Sequence, residues 1–316
     1  MTARVVALGA HVLDILGRPV THIPDGQGGA ILDEIRLAPA GSAAGTAVGL
    51  AKLGLSVVSV GAIGEDMLGE VLVRALARFG IDTSYIARKP GVQTSASILP
   101  IRPNGDRPAL HAIGANPFFT MDDVPWEIIE AAAHLHMGGN DVMRGLGRGG
   151  GAEILRRAKA AGASTSMDML SEGSPKTLEA LAPCLPLVDW FMPNADQGCH
   201  LTGARSAADA AAILLERGAR GVVLTMGGDG SLMMTPRETI RMPAHRITVV
   251  DTSGCGDAYC AGFIRAMILG WTPRECMRLA NAAAAIVAQG LGSDAGIVDL
   301  DHTIRFMNVT PVCALE

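Results

Sequence analysis

The segment 251-DTSGCGDAYCAGF-263 sets a glycine-rich turn, Gly254, Cys255 and Gly256, directly before a carboxylate, Asp257. The strand-like run 247-ITVV-250 precedes it, and Tyr259, Phe263 and Met267 recur after it at helical spacing. A strand, a tight turn and a helix are expected in succession. The N–H groups of Gly254, Cys255 and Gly256 would then converge at the positive end of a helix dipole. That geometry suits an anion, particularly a phosphoryl group gaining charge during transfer. Asp257 falls in the first turn, where the dipole favours its ionised form. A carboxylate beside an anion site can accept a proton from a substrate hydroxyl. A plain helix cap after a turn requires neither two glycines nor the second acid, Asp251.

Other chemistries lack their residues. None of the four lysines follows a glycine, which excludes a Walker A loop. No G-x-G-x-x-G follows the first strand candidate, as a Rossmann dinucleotide site requires. His134 and His136 share one side of a strand, a spacing zinc enzymes use, but no third ligand motif accompanies them and sheet packing is expected. The 316 residues are 49% hydrophobic and 18% charged, which excludes a disordered chain. The net charge of -5 provides no broad basic field, so neither nucleic acid nor a membrane is expected as a partner. Six cysteines occur with no C-x-x-C and none before Cys184, which argues for a reducing, cytoplasmic setting. The first apolar run, 5-VVALGAHVLDILG-17, lacks a basic flank and cleavage site, so no signal peptide is expected. No stretch of 18 apolar residues suggests a membrane span.

The elements that must position the turn alternate. Strands are expected at 5–8, 57–60, 133–137, 164–168, 188–192 and 222–226, with helices at 43–53, 67–79, 152–161, 175–182 and 207–217. Apolar strands between helices predict a mostly parallel sheet covered on both faces. Thr272, Pro273 and Glu275 form a helix start signal, and that helix should run to about Gln289 before Gly290 and Gly292. Residues 15–38 and 92–113 have no helical period, and each reads as an antiparallel pair in a small flap. With no long linker or repeat, one domain over residues 1–316 is expected, with a lid at about 15–38 and 92–113.

Five segments, taken together, resemble the ribokinase-like (PfkB) carbohydrate kinase family. Residues 251–263 are similar to its D-T-x-G-A-G-D signature, with Cys255 where Ala is usual. The run 41-GSAAGTAVGLAKLG-54 resembles G-G-S-x-x-N-x-A-x-x-L-A-x-L-G, and 61-GAIGEDMLG-69 resembles G-x-x-G-x-D-x-x-G. The run 193-PNADQGCHLTG-203 is similar to P-N-x-x-E-x-x-x-L-T-G, and 222-VVLTMGGDG-230 to V-x-V-T-x-G-x-x-G. The resemblance implies an α/β ribokinase-like fold with a small β lid. It implies ATP-dependent phosphorylation of a sugar hydroxyl with Mg2+.

By that resemblance, Asp257 is the general base, and Gly254, Cys255 and Gly256 form the anion hole through their amides. Asp14 binds sugar hydroxyls, and Gly41 and Ser42 let the backbone approach the acceptor. Gly45 stands where the family has Asn, which removes a contact and adds space. Arg107, in 104-NGDRPALH-111, and Asn140, in 138-GGND-141, are further acceptor-side candidates. Asn194, Thr225, Gly227, Gly230 and Asn281 fall on the nucleotide side. Asp168 and Gln197 are the metal candidates, and Gln197 replaces the family's Glu. The loop 290-GLGSDAG-296 resembles a segment that helps bind a monovalent cation such as K+. A homodimer through the lid is expected by the same analogy. A nucleoside kinase fits the space at Gly45, and a catalytically silent sensor fits Gln197.

Overall fold

The computed structural model describes residues 4–314. Its strands are β1 (Arg4–Gly9), β2 (Val12–Arg18), β3 (Glu34–Ala40), β4 (Ser56–Gly64), β5 (Asp82–Lys89), β6 (Ala96–Pro100), β7 (Leu110–Ala112), β8 (His134–Gly138), β9 (Ser164–Met167), β10 (Trp190–Phe191), β11 (Val222–Thr225), β12 (Ser231–Met234) and β13 (Thr239–Met242). Its α-helices are α1 (Ser42–Lys52), α2 (Met67–Ala77), α3 (Trp126–Glu130), α4 (Gly150–Ala160), α5 (Pro175–Leu181), α6 (Ala195–Thr202), α7 (Ala207–Glu216), α8 (Cys255–Ile268), α9 (Pro273–Val287) and α10 (Leu300–Val309).

Nine strands form one sheet in the order β13-β12-β11-β10-β9-β8-β1-β4-β5. All neighbours from β11 to β5 run parallel, and β12 and β13 add antiparallel at one end. Alternation along β1 explains why the sheet is covered twice. Val5 and Ala7 pack with Val48, Phe263 and Met277 of α1, α8 and α9. Val6 and Leu8 pack on the other face with Leu155 and Leu214 of α4 and α7. The connections reverse direction at β1, between β4 and β8. Such a reversal opens a crevice beyond the carboxyl ends of the strands.

The four remaining strands form a second sheet, β3-β2-β6-β7. Each expected flap segment does supply an antiparallel pair, and the pairs join through parallel β2 and β6. Period-2 alternation sorts the two faces. Asp14, Ser97 and His111 are cross-strand neighbours in one row and line the cavity described below. The adjacent row holds Leu37, Ile15, Ile98 and Leu110, of which Leu37, Ile98 and Leu110 are exposed.

Two expectations need correction. Residues 247–250 form no strand. Instead the amides of Val250 and Asp251 donate to Ala288 O at 2.8 and 3.3 Å, which ties the segment to the end of α9. Residues 188–192 shorten to Trp190–Phe191. The polar edge strand β5, DTSYIARK, carries no continuous apolar run and escaped the pattern search.

Candidate active site

A cavity of about 700 Å³ opens at the carboxyl ends of β9, β10 and β11, beneath the second sheet. Asp14, Gly41, Ser42, Arg107, Asp168, Asn194, Gln197, Thr225, Gly254, Gly256 and Asp257 all line it. Residues more than two hundred positions apart thus share one space.

The turn before α8 is built around Gly254, its N-cap at φ 72°. A Cβ there would collide with Ser293, and the positive φ disfavours any other residue. Cys255 N–H turns back to Thr252 O at 3.4 Å. The N–H groups of Gly256 and Asp257 have no acceptor among the described residues, and both residues face the cavity. These are the unsatisfied donors every helix start leaves, aimed here at open space. The Cys255 thiol is pushed up to about 12, chiefly by burial, which disfavours its thiolate.

Asp251 holds this turn in place. Its Oδ1 accepts from Ser253 N–H (2.9 Å) and Ser253 Oγ (2.8 Å), and its Oδ2 accepts from Gly292 N–H (2.8 Å). Ser293 Oγ donates to Pro39 O at 2.5 Å, linking the 290–296 loop to β3. Arg36 donates to Leu291 O at 2.7 Å and to Asp294 Oδ1 at 2.9 Å, while Lys52 Nζ donates to Asp294 O at 2.5 Å.

Asp257 faces Gly45 across the α1–α8 contact. A Cβ on Gly45 would run into the Asp257 carboxylate. This corrects the expected role of Gly45, because the space it leaves holds Asp257 rather than acceptor. The Asp257 carboxyl is pushed up to about 7, first by desolvation and then by Asp14, with Arg107 opposing. Asp14 rises to about 6, first by burial, with Ser97 and Arg107 pulling it down and Asp251 pushing it up. Arg107 is the cation facing both acids, and its Nε donates to Thr252 Oγ1 at 3.2 Å.

The other candidates divide. Ser42 lines the cavity but donates to Met169 O at 3.1 Å instead of capping α1. Asn140 faces a neighbouring cavity and reaches Cys184 Sγ at 3.6 Å, because β8 ends in a turn that carries it away. Asn281 is buried outside the cavity lining, donating to Pro243 O at 2.9 Å and accepting from Ser231 Oγ at 3.2 Å. Gly227 and Gly230 do not line the cavity, and Gly230 instead allows β12 to start against Met242 O.

Asn194 and Gln197 form the capping box of α6. Asn194 Oδ1 accepts from Gln197 N–H at 2.8 Å, and Gln197 Oε1 accepts from Asn194 N–H at 2.9 Å. Gln197 Nε2 donates to Ser171 O at 2.9 Å. Asp168 Oδ1 accepts from Gly139 N–H at 3.0 Å, and its Oδ2 lies near Cys260 and His136. Asn194 and Gln197 are bonded to one another, and Asp168 Oδ2 faces a nitrogen and a sulfur, so these residues do not form an oxygen-ligand set for a protein-held magnesium ion. Sequence reasoning missed Ser97, His111, Asn116 and Arg144, which also line the cavity. The alternation that puts Ser97 opposite Asp14 was available in the flap segment; Arg144 had no signal.

Comparison with known proteins places the chain in context. A family profile, pfkB family carbohydrate kinase, matches residues 2–299. A deoxyribokinase of Salmonella typhi is 26% identical over 277 residues, covering 85% of this chain and 87% of the relative. An aminoimidazole riboside kinase of Salmonella typhimurium is 25% identical, covering 85% and 88%. A structure from E. coli, described as a provisional ribokinase II in complex with ATP and Mg2+, superposes with a TM-score of 0.83 at 22% identity, covering 97% and 99%.

The raised Asp257 carboxyl makes a stability prediction. The folded chain holds this proton more tightly than the unfolded chain, so this contribution to stability fades as pH rises from 3.8 through about 7. Asp257→Asn should therefore melt higher than the parent at pH 8 and flatten the decline in Tm between pH 5 and pH 8. Thermal melts check this, and a variant that melts lower at pH 8 contradicts it.

Proposed function

From the premise that this chain belongs to the pfkB family of carbohydrate kinases, we propose that it transfers the terminal phosphoryl group of ATP to a hydroxyl of a small sugar or sugar-like acceptor. One observation carries the reading: Asp257, the open amides starting α8 and Asp14 line the same cavity. Asp14 offers two acceptor oxygens to neighbouring hydroxyls, beside the backbone at Gly41 and Ser42. Asp257 takes the proton of the attacking hydroxyl, and its upward shift to about 7 suits a base working near neutral pH. The first-turn amides and the dipole of α8 stabilise charge on the transferring group. Arg107 reaches in from the second sheet, which we assign as a lid, and balances the two acids.

The nucleotide lies toward Asn194 and Thr225, beyond β10 and β11. Binding of ATP and Mg2+ by the E. coli structural relative supports this donor. Magnesium supplies charge neutralisation on the nucleotide phosphates when bound there. This chain's own part is to hold the acceptor, the proton and the phosphoryl oxygens.

A riboside acceptor is the second reading. The width of the cavity and its apolar wall of Ile113, Pro117 and Val142 leave room for a base. The riboside kinase among the relatives supports it. A coupled ADP-release screen over pentoses, hexoses, sugar acids and ribosides separates the two. With the acceptor so found, Asp257→Asn should lower turnover by at least ~100-fold, the lower end of the range for general-base catalysis. Near-native turnover in that variant contradicts the assignment.

The 290–296 loop carries a separate expectation. Its Leu291 and Asp294 carbonyls already accept from Arg36 and Lys52. We propose that these tethered cations take the place of a monovalent ion. Replacing K+ by tetramethylammonium should then leave turnover unchanged, and a strict K+ requirement contradicts this.

A further inference from the structure

Behind Asp257 lies a group of side chains that phosphoryl transfer leaves unused. His136 on β8, Asp168 just past β9 and Cys260 on α8 each bring one ligand-capable atom within 4.8 Å of the others, and all three are buried. Asp168 Oδ2 stands 3.8 Å from Cys260 Sγ and 3.9 Å from His136 Nε2. Nitrogen, oxygen and sulfur ligands on a tetrahedral Zn2+ sit about 3.3–3.7 Å apart, given the usual bond lengths. The three atoms need only a small inward rotation to reach that spacing.

The His136 ring supplies the second observation. It is fully buried, and its Nε2 has no hydrogen-bond partner among the described residues. A buried polar nitrogen left this way is costly and rare. His134, two residues earlier, shows the contrast: its ring nitrogens lie 2.8 Å from Ser164 Oγ and 2.8 Å from Ser166 Oγ. Ser166 Oγ also lies 2.9 Å from His136 Nδ1. When Nδ1–H donates to Ser166, the Nε2 lone pair points at Asp168 and Cys260. That is the tautomer and orientation a metal-binding histidine takes when its far nitrogen is held by a neighbour. Asp168 is oriented in the same manner: Gly139 N–H holds Oδ1 at 3.0 Å and leaves Oδ2 for the cluster.

We propose that His136, Asp168 and Cys260 form a buried transition-metal site for Zn2+, completed by a water from the adjoining cavity. The mixed nitrogen, oxygen and sulfur set selects a borderline-soft ion over Mg2+ or Ca2+, which take oxygen ligands. Binding forms a metal–sulfur bond as the Cys260 thiol releases its proton to solvent. The site ties β8, β9 and α8 together one helical turn from Asp257, and Asp168 gives it an entry path from the cavity.

The test uses the full chain, stripped with dipicolinic acid and titrated with Co2+ and then Zn2+. One cobalt per chain should bind with a thiolate-to-cobalt charge-transfer band in the near ultraviolet, and Zn2+ should displace it and raise Tm. Cys260→Ser and His136→Gln, checked for folding by circular dichroism, should lose the band and the Zn2+-dependent rise in Tm. A cobalt complex without a thiolate band overturns the site. A band that survives in Cys260→Ser also overturns it, because the sulfur would then come from another cysteine.

Discussion

The Asp257 carboxylate packs directly against Gly45 of α1, where a Cβ would run into it as it stands. Gly45 and Gly49 lie one turn apart on α1, opposite Asp257 and Ala261, which lie one turn apart on α8. A Cβ at either glycine would meet the facing side chain of α8, Asp257 or Ala261. The close approach strips water from Asp257 and raises its proton affinity, and Asp14 across the cavity adds to the rise. The rise of the Asp257 carboxyl toward neutral pH, which the proposed base role needs, is thus a product of helix packing and not of any unusual residue.

That arrangement needs the start of α8 to be immobile, and a chain of buried polar contacts fixes it. Asp251 binds both the turn and the 290–296 loop. That loop is held in turn by Pro39 O through Ser293 and by Arg36 and Lys52. Arg36 and Pro39 belong to β3, and Asp14 lies on the adjoining β2. The second sheet and α8 therefore share one hydrogen-bonded network. Arg107 closes the same circuit from the other direction, through Thr252.

Much of this was legible in the residues. The alternation of apolar strands and helices gives the parallel sheet, because β1 must be apolar on both faces. The DTSGCGD segment names its own turn and helix, since Gly254 and Gly256 interrupt any strand and Tyr259, Phe263 and Met267 then recur at helical spacing. Three-dimensional proximity was not legible. Nothing in the sequence tells that Gly45 makes room for Asp257, that Asn281 is consumed by Ser231 and Pro243, or that Asn140 turns into a neighbouring cavity. Asn194 and Gln197 read as nucleotide and metal candidates, and the capping box they form at the start of α6 went unread. His136 read as a sheet residue because its partners, Asp168 and Cys260, come from distant segments.

The pH dependence of kcat/KM for the identified acceptor tests the central claim most directly. A buried Asp257 base predicts that kcat/KM rises with pH and levels off above one inflection near 7. Arg107→Ala should move that inflection upward, because the arginine holds the carboxyl down. A profile flat from pH 5 to pH 8, or an inflection that stays in the ordinary carboxylate range, would contradict the account.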